Sequence, residues 1–401
     1  MTESGGPRRV RSGKKTLPGA VIALGVVSFF NDVASDLVVP LLPIFLATVL
    51  GAGPAALGLI EGVAEAVASL LKLWAGRHSD TIGGRRKPLV VGGYALSNLA
   101  RPLFALAAGW PFLLALRSID RIGKGIRGAP RDAMIADWTP PEQTGIAFGL
   151  QRAFDNAGAV LGSLIAAAAL AFWTSSLQTV LLASAIPGAL CLLLLAFGVA
   201  EPPRHRPVSQ PLPPLRWRAL SPLMRRYLLV LAGFTLARVS ETFLVLRGYE
   251  LGGSVVELLL LWSALNAAKS ACAYAGGALS DRFGRRSVML ASWIAFAAGF
   301  YALCTLTSLS ALWGATLFYG CFAGLSEGAE RALIEDLGNK DERGTAFGWY
   351  YLMTGLAAIP AGVIFGLLWQ FQSAAMAFSL AAAAAALSAL LLLLWVRPAG
   401  A

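Results

Sequence analysis

The stretch Gly277-Ala278-Leu279-Ser280-Asp281-Arg282-Phe283-Gly284-Arg285-Arg286 joins two apolar runs, 254–277 and 287–307. Each run is near twenty residues, enough to cross a hydrocarbon core of about 30 Å at ~1.5 Å per residue. A short basic turn between two such runs connects antiparallel helices. Glycine permits the tight turn, aspartate can attract positive helix ends, and arginines bind carboxylates or lipid phosphates at the surface. A near copy, Gly76-Arg77-His78-Ser79-Asp80-Thr81-Ile82-Gly83-Gly84-Arg85-Arg86, lies 201 positions upstream. A second segment repeats at almost the same offset. Ile135-Ala136-Asp137 and Gly145-Ile146-Ala147-Phe148-Gly149 return 199 positions later as Ile334-Glu335-Asp336 and Gly344-Thr345-Ala346-Phe347-Gly348. The chain therefore reads as two copies of one unit with the same topology.

Working outward from these loops, the hydropathy pattern predicts twelve helices: 18–48, 54–76, 88–109, 111–131, 145–171, 176–199, 222–247, 254–277, 287–307, 311–335, 344–370 and 374–396. The expected fold is an all-α membrane protein of two pseudo-symmetric six-helix bundles. They cover 18–199 and 222–396, joined by a proline-rich linker at 200–221, with tails at 1–17 and 397–401. Pro40 and Pro43 should kink the first helix. Of the 401 residues, 57% are hydrophobic and 14% charged, and the mean hydropathy of +0.66 excludes a water-soluble enzyme. The formal charge of +11 is a topology signal and not a nucleic-acid footprint. Lys and Arg collect in the first tail, the 77–87 loop, the linker and the 282–286 loop, while alternate connections carry none. The positive-inside rule then places both termini in the cytoplasm. Arg247, at the outer end of the seventh helix, is the exception. The basic N-terminus precedes a run too long for a signal peptide and bearing Asp32 and Asp36, so that run reads as a retained helix. The four dispersed cysteines have no paired spacing and suggest neither disulfides nor a metal site.

The 277–286 segment resembles the signature loop of the major facilitator superfamily, and Gly76, Asp80, Arg85 and Arg86 mark its first-half copy. Arg121-Ile122-Gly123-Lys124-Gly125 in the fourth helix is similar to that family's Arg-x-x-Gln-Gly motif, with lysine for glutamine. The resemblance covers essentially the whole chain. It implies two bundles rocking about a midplane cavity lined by helices 1, 4, 7 and 10. The family's antiporter signature is present only as Gly158-x-x-x-Gly162-Ser163, without its proline.

An ionisable group inside a span costs about 2.5–3.5 kcal/mol on insertion scales, so each needs a partner, water or a function. Candidates for the cavity and for proton coupling are Asp32, Asp36, Glu61, Glu65, Arg121, Lys124, Arg152, Asp155, Arg238 and Glu241. Asp36 leads, because Ser35-Asp36 matches Ser240-Glu241 and gives one acid per half at similar depth. His78 and His205 both lie in loops, so any intramembrane proton must ride on a carboxylate. Gating candidates are Arg127, Glu327 and Glu330, with the loop residues Gly277, Asp281, Arg282, Gly284, Arg285 and Arg286. Acidic helices 1 and 2 face a half with basic helices 7 and 8, and basic helix 4 faces acidic helix 10. That complementarity suggests ion pairs exchanged between halves, against a plainer alternative in which each charge pairs within its own half.

Gly123-Lys124-Gly125-Ile126-Arg127-Gly128 fits a dinucleotide-loop spacing, but it lies inside a span with no strand before it. Gly324-Leu325-Ser326-Glu327-Gly328 likewise lacks the strand and histidine of a nucleophile elbow. Trp74, Trp110, Trp138, Trp173 and Trp369 near helix ends read as interface anchors. Phe29, Phe30, Tyr350 and Tyr351 are candidates for solute contact.

The sequence therefore predicts a monomeric secondary transporter in the cytoplasmic membrane. It carries a small anionic, zwitterionic or amphiphilic solute by alternating access, with a proton gradient and no cofactor or metal. Alternatives are a drug or metabolite efflux antiporter, a metal-chelate permease, and a transport-inactive sensor. A role as an intramembrane enzyme is not expected.

Overall fold

The computed structural model describes residues 17–81, 85–140, 143–201, 215–337 and 343–396. Both tails and the centre of the linker lie outside these. The first half contains α1 (Gly19–Asp36), α2 (Leu42–Thr48), α3 (Pro54–Thr81), α4 (Lys87–Leu103), α5 (Trp110–Trp138), α6 (Thr144–Phe172), α7 (Leu177–Ala183) and α8 (Ala185–Gly198). The second contains α9 (Pro222–Ala237), α10 (Thr242–Glu250), α11 (Val255–Phe283), α12 (Arg285–Thr305), α13 (Leu309–Leu337), α14 (Arg343–Phe371) and α15 (Ala374–Trp395). Pairing α1 with α2, α7 with α8 and α9 with α10 as broken spans gives twelve crossings in two bundles of six.

Two of those breaks shape the site. The first span unwinds after Asp36, where Pro40 and Pro43 remove backbone donors and a 3-10 turn at Val39–Leu41 bridges the gap. The seventh breaks at the corresponding place, from Arg238 to Glu241, with no proline. Short-range bonds such as Val38 N–H to Ser35 O and Val239 N–H to Ala237 O, both 3.0 Å, keep some of the freed backbone paired. Irregular backbone at this depth is tolerated where protein or a water-filled cavity covers it.

Eleven helices among the described residues are long and apolar enough to cross a membrane. The twelfth crossing, α5, has 29 residues and ample length. Its charges disqualify it on apolarity, and Arg117, Asp120 and Arg127 are all buried in the bundle. Glycines bring it close to its neighbours. A Cβ at Gly123 would stand 2.8 Å from the Ser97 amide nitrogen, and one at Gly125 2.8 Å from the Ala68 carbonyl. The dinucleotide-like glycine spacing is thus a packing pattern, the small-residue contact by which membrane helices approach without a hydrophobic drive. Outward, large apolar side chains such as Phe172, Trp173 and Phe197 are almost fully exposed, as a lipid-facing surface requires.

The halves meet along two seams, α3 on α14 and α6 on α11. At the end with the neutral loops, α2 also packs on α10, and one apolar core runs through both halves. Toward the basic loops the first half keeps a separate core of its own, around Leu24, Tyr94, Met134 and Leu195. There the chain leaving the linker crosses the gap. Leu215 lies against Gly348, and Trp217 meets Trp349 edge-on at 5.0 Å.

Gly284 turns the 282–286 loop with φ +84° and ψ 138°, a conformation that only glycine adopts without strain. Gly284→Ala should lower stability by about 1–3 kcal/mol, seen as a lower melting temperature of the detergent-solubilised protein. An unchanged melting temperature would contradict the strained turn.

Candidate functional site

A cavity of about 490 Å³ lies between the halves, with walls from both broken spans. The first half contributes Asp36, Glu61, Glu65, Lys72, Arg121 and Lys124. The second contributes Arg238, Glu241, Lys269 and Glu330, with the aromatic rings of Trp262, Tyr319, Tyr350 and Tyr351. The second, eighth and eleventh spans therefore line it as fully as the first, fourth, seventh and tenth, which were the ones expected.

Among the described residues, the ion pairs form within each half. Behind the first wall, Arg101 Nε donates to Asp120 Oδ1 at 3.0 Å, Arg117 reaches Asp120 Oδ2 at 3.3 Å, and Arg117 grips both oxygens of Glu61 at 3.1 and 3.2 Å. Arg101 also donates to the side-chain oxygens of Asn31 and Asn98, at 3.1 and 3.0 Å. In the second wall, Lys269 Nζ donates to both oxygens of Glu241 at 2.7 and 2.9 Å. Arg238 pairs with Glu330, which also accepts from the Tyr350 hydroxyl at 2.8 Å. Among the described residues, the hydrogen bonds between the halves come from neutral donors, and Lys72 of the first half sits over the Tyr351 ring of the second, 5.7 Å from its centre. Trp262 Nε1 donates to Asp36 at 2.8 Å, Ser240 Oγ to Glu61 at 3.2 Å, and Asn156 Nδ2 to Ser270 at 2.9 Å. Ser163 and Ser263 join at 2.6 Å, so the incomplete antiporter signature ends in a seam contact.

This arrangement corrects several expectations. Among the described residues, the ion pairs follow the plainer alternative, and no exchange between halves is caught in this conformation. Arg127 is not at a gate: it is buried in the first half, donating to Ser97 Oγ at 2.7 Å with its guanidinium 4.5 Å from the Tyr94 ring centre. Glu330 faces Arg238 of its own half. Arg152 is exposed, one position out of register with Gln151, which turns inward and donates to Asp155 at 2.9 Å. Asp155 and Asp32 lie off the cavity, Asp155 3.7 Å from Arg131 and Asp32 accepting from Asn31 at 2.7 Å. Phe29 packs on Phe30 and Phe154 and not on the cavity. Trp369 is no interface anchor, being buried and donating to Glu250 at 2.7 Å. The side chains of Asp80, Asp281 and Glu327 lie outside the described residues.

In the loops, a Cβ at Gly76 would stand 3.3 Å from the Ala129 methyl, and Arg85 is exposed. Arg86 binds Asp137 and the Ala133 carbonyl. Glu201 receives the Arg86 and Lys87 amides at 2.7 and 3.0 Å, fastening the start of the linker to the first amide groups of α4. Arg286 donates to the Leu393 carbonyl at 2.8 Å, at the end of the last span. Sequence reasoning missed Trp262. Its signal was available, since it lies seven residues, two helical turns, before Lys269 and so shares its face.

The family model of the Major Facilitator Superfamily matches residues 24–246 and 239–401. An uncharacterised MFS-type transporter of Methanocaldococcus jannaschii is 33% identical over 383 residues, 93% of this chain and 94% of that protein. Among solved structures, a POT family transporter in complex with 5-aminolevulinic acid superposes with a TM-score of 0.79 at 12% identity, covering 96% of this chain and 98% of that one. A D-xylose-proton symporter gives 0.74 at 17% identity, covering 94% and 97%. Twelve crossings in two like halves, a charged cavity between them and a match along the whole length lead to one conclusion: the chain belongs to the major facilitator superfamily and is a multi-pass membrane transporter.

Proposed function

We propose that this transporter moves a small organic solute across the cytoplasmic membrane by alternating access, driven by a proton that binds at Asp36. The basic loops and both termini face the cytoplasm. The observation that carries the reading is the Asp36–Trp262 contact, which joins an acid of the first half to a donor of the second inside the cavity. An indole N–H can only donate, and it bonds an ionised carboxylate more strongly than a neutral one. Protonating Asp36 weakens that link and so favours separation of the halves at this level. A proton thereby biases which mouth opens, the differential interaction that any conformational coupling needs.

Asp36→Asn should abolish solute accumulation driven by a pH gradient in proteoliposomes while binding of the solute persists. Unchanged accumulation would remove Asp36 from the mechanism. Pyranine-reported proton movement against a panel of solutes tests the broader claim, and no solute-dependent proton flux from any of them would refute coupling to protons.

A further inference from the structure

The charges in the walls are not evenly committed. The buried set behind the first wall is balanced: Arg101 and Arg117 against Asp120 and Glu61. In the second wall, Arg238 is matched by Glu330 and Lys269 by Glu241. Among the described cations of the cavity, that leaves Arg121 and Lys124 with no carboxylate within hydrogen-bonding distance. Arg121 shows it most directly. Its Nε is buried with no hydrogen-bond partner, and its nearest carboxylate oxygen, on Asp120, is 3.9 Å away and already bonded to Arg117. Lys124, three residues on and so on the same helix face, is open to the cavity and forms no hydrogen bond or ion pair with a described residue.

We infer that Arg121 and Lys124 form an anion seat, and that the transported solute is a carboxylate with an aromatic or hydroxylated body. The inference rests on the proposed transport function and names the class of solute. A carboxylate between the two side chains would pair with both cations and satisfy the orphaned Arg121 N–H, since guanidinium and carboxylate match geometrically. The opposite wall fits the rest of such a solute. Its ions are neutralised in pairs, so what it offers is the phenol rings of Tyr319 and Tyr351 and the hydroxyls of Ser326 and Thr354. These suit a neutral ring or hydroxyl group. A cationic solute is disfavoured. Among the described carboxylates of the cavity, Glu61, Glu241 and Glu330 are each engaged by a cation, Asp36 by Trp262, and Glu65 lies in the field of Lys72, Lys124 and Arg121.

The test is binding to the full-length protein in detergent, followed by thermal shift and calorimetry. The probes are 4-hydroxyphenylacetate, phenylpropionate and gluconate, each compared with its amide, and tyramine as the cationic counterpart. At least one carboxylate should bind, its amide should bind about tenfold or more weakly, as losing a charged hydrogen bond implies, and tyramine should not bind. Arg121→Gln and Lys124→Gln should each weaken the carboxylate by a similar factor and leave the amide unchanged, and Lys124→Arg should restore much of the loss. Binding of amide and carboxylate with equal affinity, preference for tyramine, or no binding of any carboxylate would overturn the inference. Because no gradient is present, this result is independent of proton coupling. A protein that binds carboxylates but moves no protons would sink only the proposed coupling, and one that couples protons to another class of solute would sink only the anion seat.

Discussion

Asp120→Ala is expected to leave little folded protein. Asp120 is 2% exposed, and it holds Arg101 and Arg117, which are 3% and 1% exposed. Without it, Arg117 keeps Glu61, but Arg101 keeps only neutral acceptors, Asn31 and Asn98. Removing one partner of a buried ion pair typically costs about 3–5 kcal/mol, because the remaining charge cannot be rehydrated. That is a large part of a typical folding free energy of ~5–15 kcal/mol. The loss should appear as aggregation on size-exclusion chromatography after extraction, or as a much lower melting temperature in whatever monomer survives. Asp120→Asn keeps the shape and one acceptor oxygen, so it should fall between. A wild-type profile for Asp120→Ala would show that the network is hydrated and not sealed.

That network also shows what the sequence makes legible and what it conceals. The spans could be read because lipid imposes length and apolarity on eleven of them, and the repeated loops betrayed the duplication that places the twelfth. The break in the first span was written in Pro40 and Pro43. Its counterpart at Arg238–Glu241 carries no proline, and only the match of Ser35-Asp36 to Ser240-Glu241 hinted at it. The charges themselves were legible as a set, but their pairing was not. Spacing along a helix says which residues share a face, whereas the choice between Arg238–Glu330 and a pair across the cavity depends on how helices α9 and α13 are set against each other. Arg152 shows the limit at its sharpest, since one step of about 100° separates an inward Gln151 from an exposed arginine. The links between halves were the least visible. They run through Trp262, Ser240, Asn156 and Ser163, neutral residues that no charge count would select. Where both partners are neutral, as at Ser163–Ser263 and Asn156–Ser270, the seam can part and re-form without exposing an uncompensated charge.

The second large effect is expected where the seam is closest. Gly58-Leu59-Ile60-Glu61-Gly62 on α3 and Gly362-Val363-Ile364-Phe365-Gly366 on α14 are both small-xxx-small patterns, and they cross near the neutral-loop end of the molecule. Gly58 and Gly362 touch backbone to backbone, each carbonyl occupying the space where the other's Cβ would stand. A Cβ at Gly62 would lie 2.8 Å from the Ala358 carbonyl, and one at Gly366 would lie 3.0 Å from the Ala55 Cα. No flexible side chain can give way there, so Gly58→Leu or Gly362→Leu cannot be accommodated while this end is shut. Both glycines sit on the face between the halves, so each bundle should still fold. The protein should therefore remain monodisperse and be held with the neutral-loop mouth open. Overpacking alone costs about 1–3 kcal/mol, ~5- to 150-fold in the balance of states, and a clash with backbone should exceed that. Transport should fall by at least that factor. Val39→Cys in a cysteine-free background, buried at this mouth when it is shut, should become reactive to an impermeant maleimide added from the neutral-loop side. Normal transport with Val39→Cys still protected would mean that α3 and α14 do not have to meet for the cycle to run.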